Sequence, residues 1–276
     1  MIRSSVRPML RDLPNPHHEI LPQAPVELVV WQLQFAEPAD VGAPLVGTTL
    51  AERLSQDGAG PFQLQRLNAQ TFAIALPMPG GPGVPQAEQT QIDGWVLRRG
   101  PVAVTINRQA LSIETNLYEG WAALQALVKS ALDGLADAIV LPGERRLGLR
   151  YVDRVVRPGV RKLEDWADLL EGWLIGPLAQ PQLRDAVAAY AQQVDFDADV
   201  DGIRATLRQR AFSDMEQRGK HTVILDFDVF REGYRLIEPA ETLASTDQMN
   251  DTAHRLFEAS ITDALYAAFA AEPEQA

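Results

Sequence analysis

The hydrophobic positions of this chain switch from a period of two to a period near 3.6 and back, and then the same order begins again. Residues 27–35, ELVVWQLQF, set Val29, Trp31, Leu33 and Phe35 on one side, the alternation of a half-buried strand. A short helix is predicted over 48–54, with Thr48 or Thr49 placed to cap it. Strands over 62–67 and 71–76 follow, turned by Asn68-Ala69-Gln70, and then a proline- and glycine-rich loop over 78–85. Three short strands come next, over 94–99, 102–107 and 111–115. Residues 118–135 then place Trp121, Leu124, Val128, Ala131 and Leu135 on one helical stripe, the pattern of a helix lying on a sheet.

The order restarts at residues 145–157, RRLGLRYVDRVVR. As a strand, this segment turns Leu147, Leu149, Tyr151 and Val155 to one face and Arg146, Arg150 and Arg154 to the other. A helix is predicted over 162–174 through Leu163, Trp166, Leu170 and Trp173. Strands follow near 186–196, 203–212 and 221–230, with a closing helix over 245–269 capped at Ser245. Residues 1–24, punctuated by Pro8, Pro14, Pro16 and Pro22, read as an extended arm able to pack on the body through Met9, Leu10 and Leu21.

The chain therefore divides into an arm (1–24) and two β-α-β(3–5)-α units, 25–142 and 143–276. Hairpins rather than crossover helices join most strands, so the class is α+β with antiparallel sheets. The order resembles the unit of TATA-binding-protein-like and helix-grip folds, in which a curved antiparallel sheet packs on a long helix. The pattern leaves open whether the units join edge to edge or pack as a pseudo-dimer.

Composition narrows the functional classes. With 46% hydrophobic and 22% charged residues, the chain has an ordinary soluble, globular balance. Its 37 acidic against 25 basic residues argue against nucleic acid as a partner, because phosphate neutralisation needs a clustered excess of Lys and Arg. Cysteine is absent, which excludes disulfides, thiolate metal sites and thiol nucleophiles. No apolar run reaches the roughly 20 residues of a membrane helix, so no membrane partner is expected. The first 25 residues hold no apolar core of signal-peptide length, and a cytoplasmic location is expected. Exposed hairpin edges would allow a homodimer.

Candidate chemistry is sparse. Asp197-Ala-Asp199-Val-Asp201-Gly202 matches the first half of a calcium loop, but Arg208 stands at the twelfth position, where a bidentate acid is needed. A hairpin tip is the simpler reading, with Gly202 at positive φ. No Ser lies in a nucleophile elbow, the four His lack metal spacing, and the glycine loop has no phosphate-binding Lys, so no catalytic residue, metal or cofactor is expected. Charged residues do cluster by parity: Arg204, Arg208 and Arg210 share a strand face, as do Asp226 and Asp228. If these strands lie in one sheet with 145–157, the arginines line one surface suited to an acidic ligand, unless the aspartates pair with them. The candidate ligand- or partner-binding residues are thus Arg146, Arg150, Arg154, Arg204, Arg208, Asp226 and Asp228.

Several ordered markers, Pro25-Val-Glu27, Gly94-Trp95, residues 113–118, Arg146-Leu-Gly-Leu-Arg-Tyr-Val-Asp153 and Leu225-Asp-Phe-Asp228, resemble a sporadically distributed bacterial protein family of uncharacterised function. The resemblance runs from about Pro25 to Phe269 and implies a place in accessory gene clusters. The expected function is that of a non-catalytic binding or adaptor protein, holding a peptide or protein partner on a sheet face or between the halves. The alternative is a small-ligand or enzymatic pocket of helix-grip type, between the sheet and the closing helix and lined by Trp31, Tyr151 and Phe227.

Overall fold

The computed structural model describes residues 10–17, 19–73, 88–199, 201–214 and 220–272, with the backbone alone at 68–73, 88–92 and 214. The loop expected over 78–85 lies outside these residues. Nine strands form one sheet: β1 (Val26–Phe35), β2 (Gln63–Ala73), β3 (Glu88–Arg99), β4 (Val102–Asn107), β5 (Ala110–Thr115), β6 (Gly143–Val156), β7 (Ala189–Phe196), β8 (Arg204–Asp214) and β9 (Lys220–Leu236). Their spatial order is β2-β3-β4-β5-β1-β6-β9-β8-β7, and every pairing is antiparallel. Four α-helices accompany the sheet: α1 (Pro44–Leu54), α2 (Trp121–Ala138), α3 (Pro239–Glu258) and α4 (Asp263–Ala270).

The two halves join edge to edge. The first strand of each half pairs with the last strand of its own half, β1 with β5 and β6 with β9, and the two first strands pair with each other. Apolar parity explains the register. Val29, Trp31 and Leu33 stand opposite Tyr151, Leu149 and Leu147, and Leu149 and Tyr151 stand opposite Val229 and Phe227. A slip of one residue would turn every one of these side chains to the opposite face. Trp31, Leu33, Leu147, Leu149 and Val229 are fully buried, each stabilising the fold by about 1.5–3 kcal/mol relative to exposure. On α2 the expected Leu124, Val128, Ala131 and Leu135 are buried, joined by Leu132, while Trp121 at the head of the stripe is half-buried.

Several expectations need correction. The strand expected over 62–67 runs on without a break to Ala73 as one strand, β2, paired along its length with β3 from Gln63↔Arg98 to Ala73↔Glu88, and residues 74–76 of the second expected strand lie outside the described residues. Asn68-Ala69-Gln70 makes no turn because the ladder to β3 continues through it. α1 starts at Pro44, so Thr48 lies inside it, its hydroxyl bonding back to the Pro44 and Leu45 carbonyls. The helix expected over 162–174 is a short 3-10 turn, Leu163–Asp168. Beyond it, the backbone of Leu169 to Glu171 bonds to Ser260 and Thr262 instead of continuing a helix. The closing helix is two helices, α3 and α4, broken at Ala259–Thr262 where those bonds are received. Ser245 is buried within α3 and caps nothing.

The segment 197–202 is the tip of the β7–β8 hairpin. Asp199 Oδ1 accepts from the Asp201 and Ile203 amides, and Gly202 has φ 80°, as the turn reading requires. The described part of the arm, residues 10–17 and 19–24, lies along the body. Leu10 is buried and Leu21 packs on the core; Met9 lies outside the described residues. No helix among the described residues is long and apolar enough to cross a membrane.

Candidate functional site

The sheet brings most of the expected charged residues together, on the face turned away from α2 and α3. β9 lies between β6 and β8, so Asp226 and Asp228 sit between the two arginine rows. Arg150 holds Asp226 with Nε–Oδ1 2.6 Å and Nη2–Oδ2 2.8 Å, and Arg208 reaches Asp226 from the other side at 3.6 Å. The hydrogen bond from Arg150 to Asp226 raises the arginine's pKa further. Arg146 Nη2 meets Asp228 at 2.7 Å, with its guanidinium 4.6 Å from the Phe230 ring centre. Gly148 makes this possible, since a Cβ there would stand 2.5 Å from the Arg146 guanidinium. Arg204 stands opposite Phe230 and Arg154 opposite Ile224, so neither faces an aspartate across its pair. Asp226 and Asp228 thus neutralise the middle of the row internally.

The other face of the same strands carries a cavity where the alternative reading expected a pocket, with Tyr151 and Phe227 in its wall. A cavity of about 660 Å³ lies between the β6–β9 surface, the start of α2, the inner face of α3 and the arm. Its wall includes Tyr118, Trp121, Tyr151, Phe227, Phe257 and Tyr266. Trp31 is not among the lining residues; it is fully buried, its indole N–H donating to Thr246 Oγ1 at 3.1 Å.

Each wall is fixed by identifiable bonds. Tyr151 donates its hydroxyl proton to Asn250 Oδ1 at 2.7 Å, so the 3.3 Å contact between the Tyr118 and Tyr151 hydroxyls uses the Tyr118 proton. The two rings meet edge to face at 5.5 Å, and His254 meets Tyr151 similarly at 6.0 Å. Burial pushes both tyrosine pKa values up. Asp247 of α3 accepts from Trp121 Nε1 at 3.0 Å and Gln125 Nε2 at 2.6 Å, tying α3 to α2. Arg255 anchors the arm by donating to the Leu13 carbonyl at 2.5 Å and to Asn15 Oδ1 at 2.6 Å. Glu258 accepts from the His17 amide at 2.7 Å, and Tyr266 donates to Glu19 at 2.9 Å.

Asp153 distinguishes this cavity from a packing defect. It follows Tyr151 on the inward face of β6, is 3% exposed, and lines the cavity. Its Oδ1 is the one buried carboxylate oxygen among the described residues with no hydrogen-bond partner. Loss of water, and secondarily the charge of Asp226 on the next strand, raises its pKa to about 7. A buried, unpaired acid of this kind is costly to ionise. Near neutral pH the protonated and ionised forms of this acid are therefore both accessible.

Parity alone carried a signal for Asp153, because it falls in the odd series Leu147, Leu149, Tyr151, Val155. A second inward charge carried none. Glu144 is fully buried and grips Arg231, with Nε–Oε1 2.8 Å and Nη2–Oε2 2.9 Å, while Arg231 Nη1 donates to Ser245 at 2.5 Å. A register shift between Glu144 and Arg146 resets the alternation, so an even-numbered residue turns inward. No group of three or more His, Asp or Glu among the described residues is arranged to hold a metal ion. No protein-family model matches the chain, and no curated protein matches it.

Proposed function

We propose that this protein is a non-catalytic binding protein that takes a small ligand into the cavity where its two units meet. In this reading the β6–β9 surface and α3 act as a helix-grip pocket, and the arm closes one side. The observation that carries the proposal is the conjunction of an aromatic-walled space of about 660 Å³ with a buried acid in its wall, Asp153, one of whose oxygens has no partner. Ligand pockets of about 300–1,000 Å³ combine apolar walls with a few placed polar groups in this way. A packing void would be apolar and dry, and a buried acid inside one would carry a cost without return.

The sheet face bearing Arg146, Arg150, Asp226 and Asp228 is the weaker candidate, because its opposite charges already satisfy one another. The experiment is a small-molecule thermal-shift screen of the full chain beside Ala122→Trp. Ala122 is exposed at the cavity wall, so a Trp there fills the space without disturbing the core. Compounds that stabilise the parent chain and not the variant support the reading. Compounds that stabilise both equally, or none that stabilise either, overturn it.

A further inference from the structure

The charges around the cavity are one-sided. Among the described residues six carboxylates line it, Glu19, Glu119, Asp153, Asp247, Asp251 and Glu258, and no lysine or arginine does. Among the described residues, His17 and His254 are the only lining side chains able to carry positive charge, and His17 Nδ1 is already 3.1 Å from Glu258. The start of α2 contributes the partial positive end of a helix, equivalent to roughly half a charge. That is outweighed by the carboxylates, and Asp247 already lies against Trp121 in the first turn.

Aromatic faces supply the second requirement. A ring's negative face attracts a cation, and the attraction grows where water is excluded. Tyr151 and Phe227 flank the base of the cavity on adjacent strands, directly opposite one another in the β6–β9 register, with Asp153 two residues along from Tyr151.

We propose that the ligand is a small organic cation, a protonated amine on an apolar or aromatic body, with Asp153 as its counter-ion and the tyrosine and phenylalanine rings as its walls. This rests on the cavity being a binding site. On entry the ammonium donates an N–H to the Asp153 carboxylate. Where the carboxyl was protonated, its proton leaves to solvent and the carboxylate–ammonium pair remains. The pair replaces an acid that was costly to ionise alone with one whose charge is balanced.

Binding should therefore follow pH. The titratable groups that share the cavity with Asp153 are Tyr151 on its own strand, Tyr118 and Glu119 before α2, Asp247, Asp251, His254 and Glu258 on α3, Tyr266 on α4, and His17 and Glu19 on the arm. Asp226, on β9, adds its charge from the neighbouring strand. Tyr118 and Tyr151 have their pKa values pushed upward and stay neutral, so they do not titrate between pH 6 and 8.

The test uses 2-phenylethylamine, its neutral analogue 2-phenylethanol and the anion 3-phenylpropanoate against the full chain, Asp153→Asn and Ala122→Trp. Calorimetry and ligand-observed NMR at pH 6 and pH 8 read the affinities. The amine should bind the parent chain at least about tenfold more tightly than the alcohol at pH 8. It should weaken about tenfold at pH 6, with proton release there, because the carboxyl must first ionise. Asp153→Asn should shrink the preference for the amine to within about threefold, and Ala122→Trp should abolish binding. If the alcohol or the anion binds as tightly as the amine, or Asp153→Asn leaves the preference intact, the cation assignment fails while the cavity stands as a binding site. If no probe binds the parent chain at millimolar concentration, the cavity reading fails and the cation assignment with it.

Discussion

Arg231 of β9 and Glu144 of β6 form a two-bond ion pair in which the guanidinium is 6% and the carboxylate 0% exposed. Ser245 of α3 accepts a third bond from the same guanidinium, so the pair pins α3 to the sheet. Removing one partner leaves the other charge buried and unpaired. Glu144→Ala should therefore destabilise the protein by about 3–5 kcal/mol in urea denaturation. Replacing both residues by apolar ones of similar volume should cost much less, and a double replacement as damaging as the single one would contradict this account.

The paired charges on the other face of the sheet should behave differently. Arg150 is 44% exposed at its side chain, so solvent screens its bonds to Asp226. Arg150→Ala should cost only about 1 kcal/mol or less, and added salt should reduce the difference further. A loss of several kcal/mol would mean that the row holds the sheet together.

The arm is tied down by polar contacts to α3 and α4, and Arg255 supplies several of them. Arg255→Ala should leave the core intact while raising amide exchange over residues 13–23. Hydrogen exchange with mass spectrometry reads this directly, and unchanged protection would show that Leu10 and Leu21 hold the arm unaided.

Asp153 makes stability depend on pH in a direction opposite to most carboxylates. Its folded pKa is raised to about 7, whereas an unfolded Asp titrates near 3.9. Between those values the folded state binds the extra proton, so its stabilising effect is complete below about pH 4 and lost as pH rises through 7. The full span corresponds to roughly 4 kcal/mol by linkage. Asp153→Asn should remove this slope, gaining on the parent chain as pH rises from 4 to 7. Parallel pH profiles for the two proteins would contradict the prediction.

Much of the architecture was legible in residue parity. β1, β6 and β9 follow their alternating residues, and the outward arginines and aspartates do meet across one sheet. Three features were hidden for physical reasons. The inward turn of Glu144 depends on a register shift that alternation cannot reveal. The break between α3 and α4 is set by bonds from Leu169 to Glu171, far away in sequence. Pro239 marks the true start of α3, while Ser245, which looks like a cap, serves as an acceptor for Arg231. Asp153 was legible in principle: an acid in an apolar parity series is a buried acid unless the strand bends.

The account stands on that acid being buried, with an unpartnered oxygen, in the wall of the cavity. Carbon-detected NMR of the Asp153 carboxyl through a pH titration measures this directly, with Ala122→Trp as the closed reference. The account predicts a midpoint near 7 in the unliganded parent chain and a further shift when the cavity is filled. A midpoint near 4 in both proteins would show a solvated or paired carboxylate and contradict it.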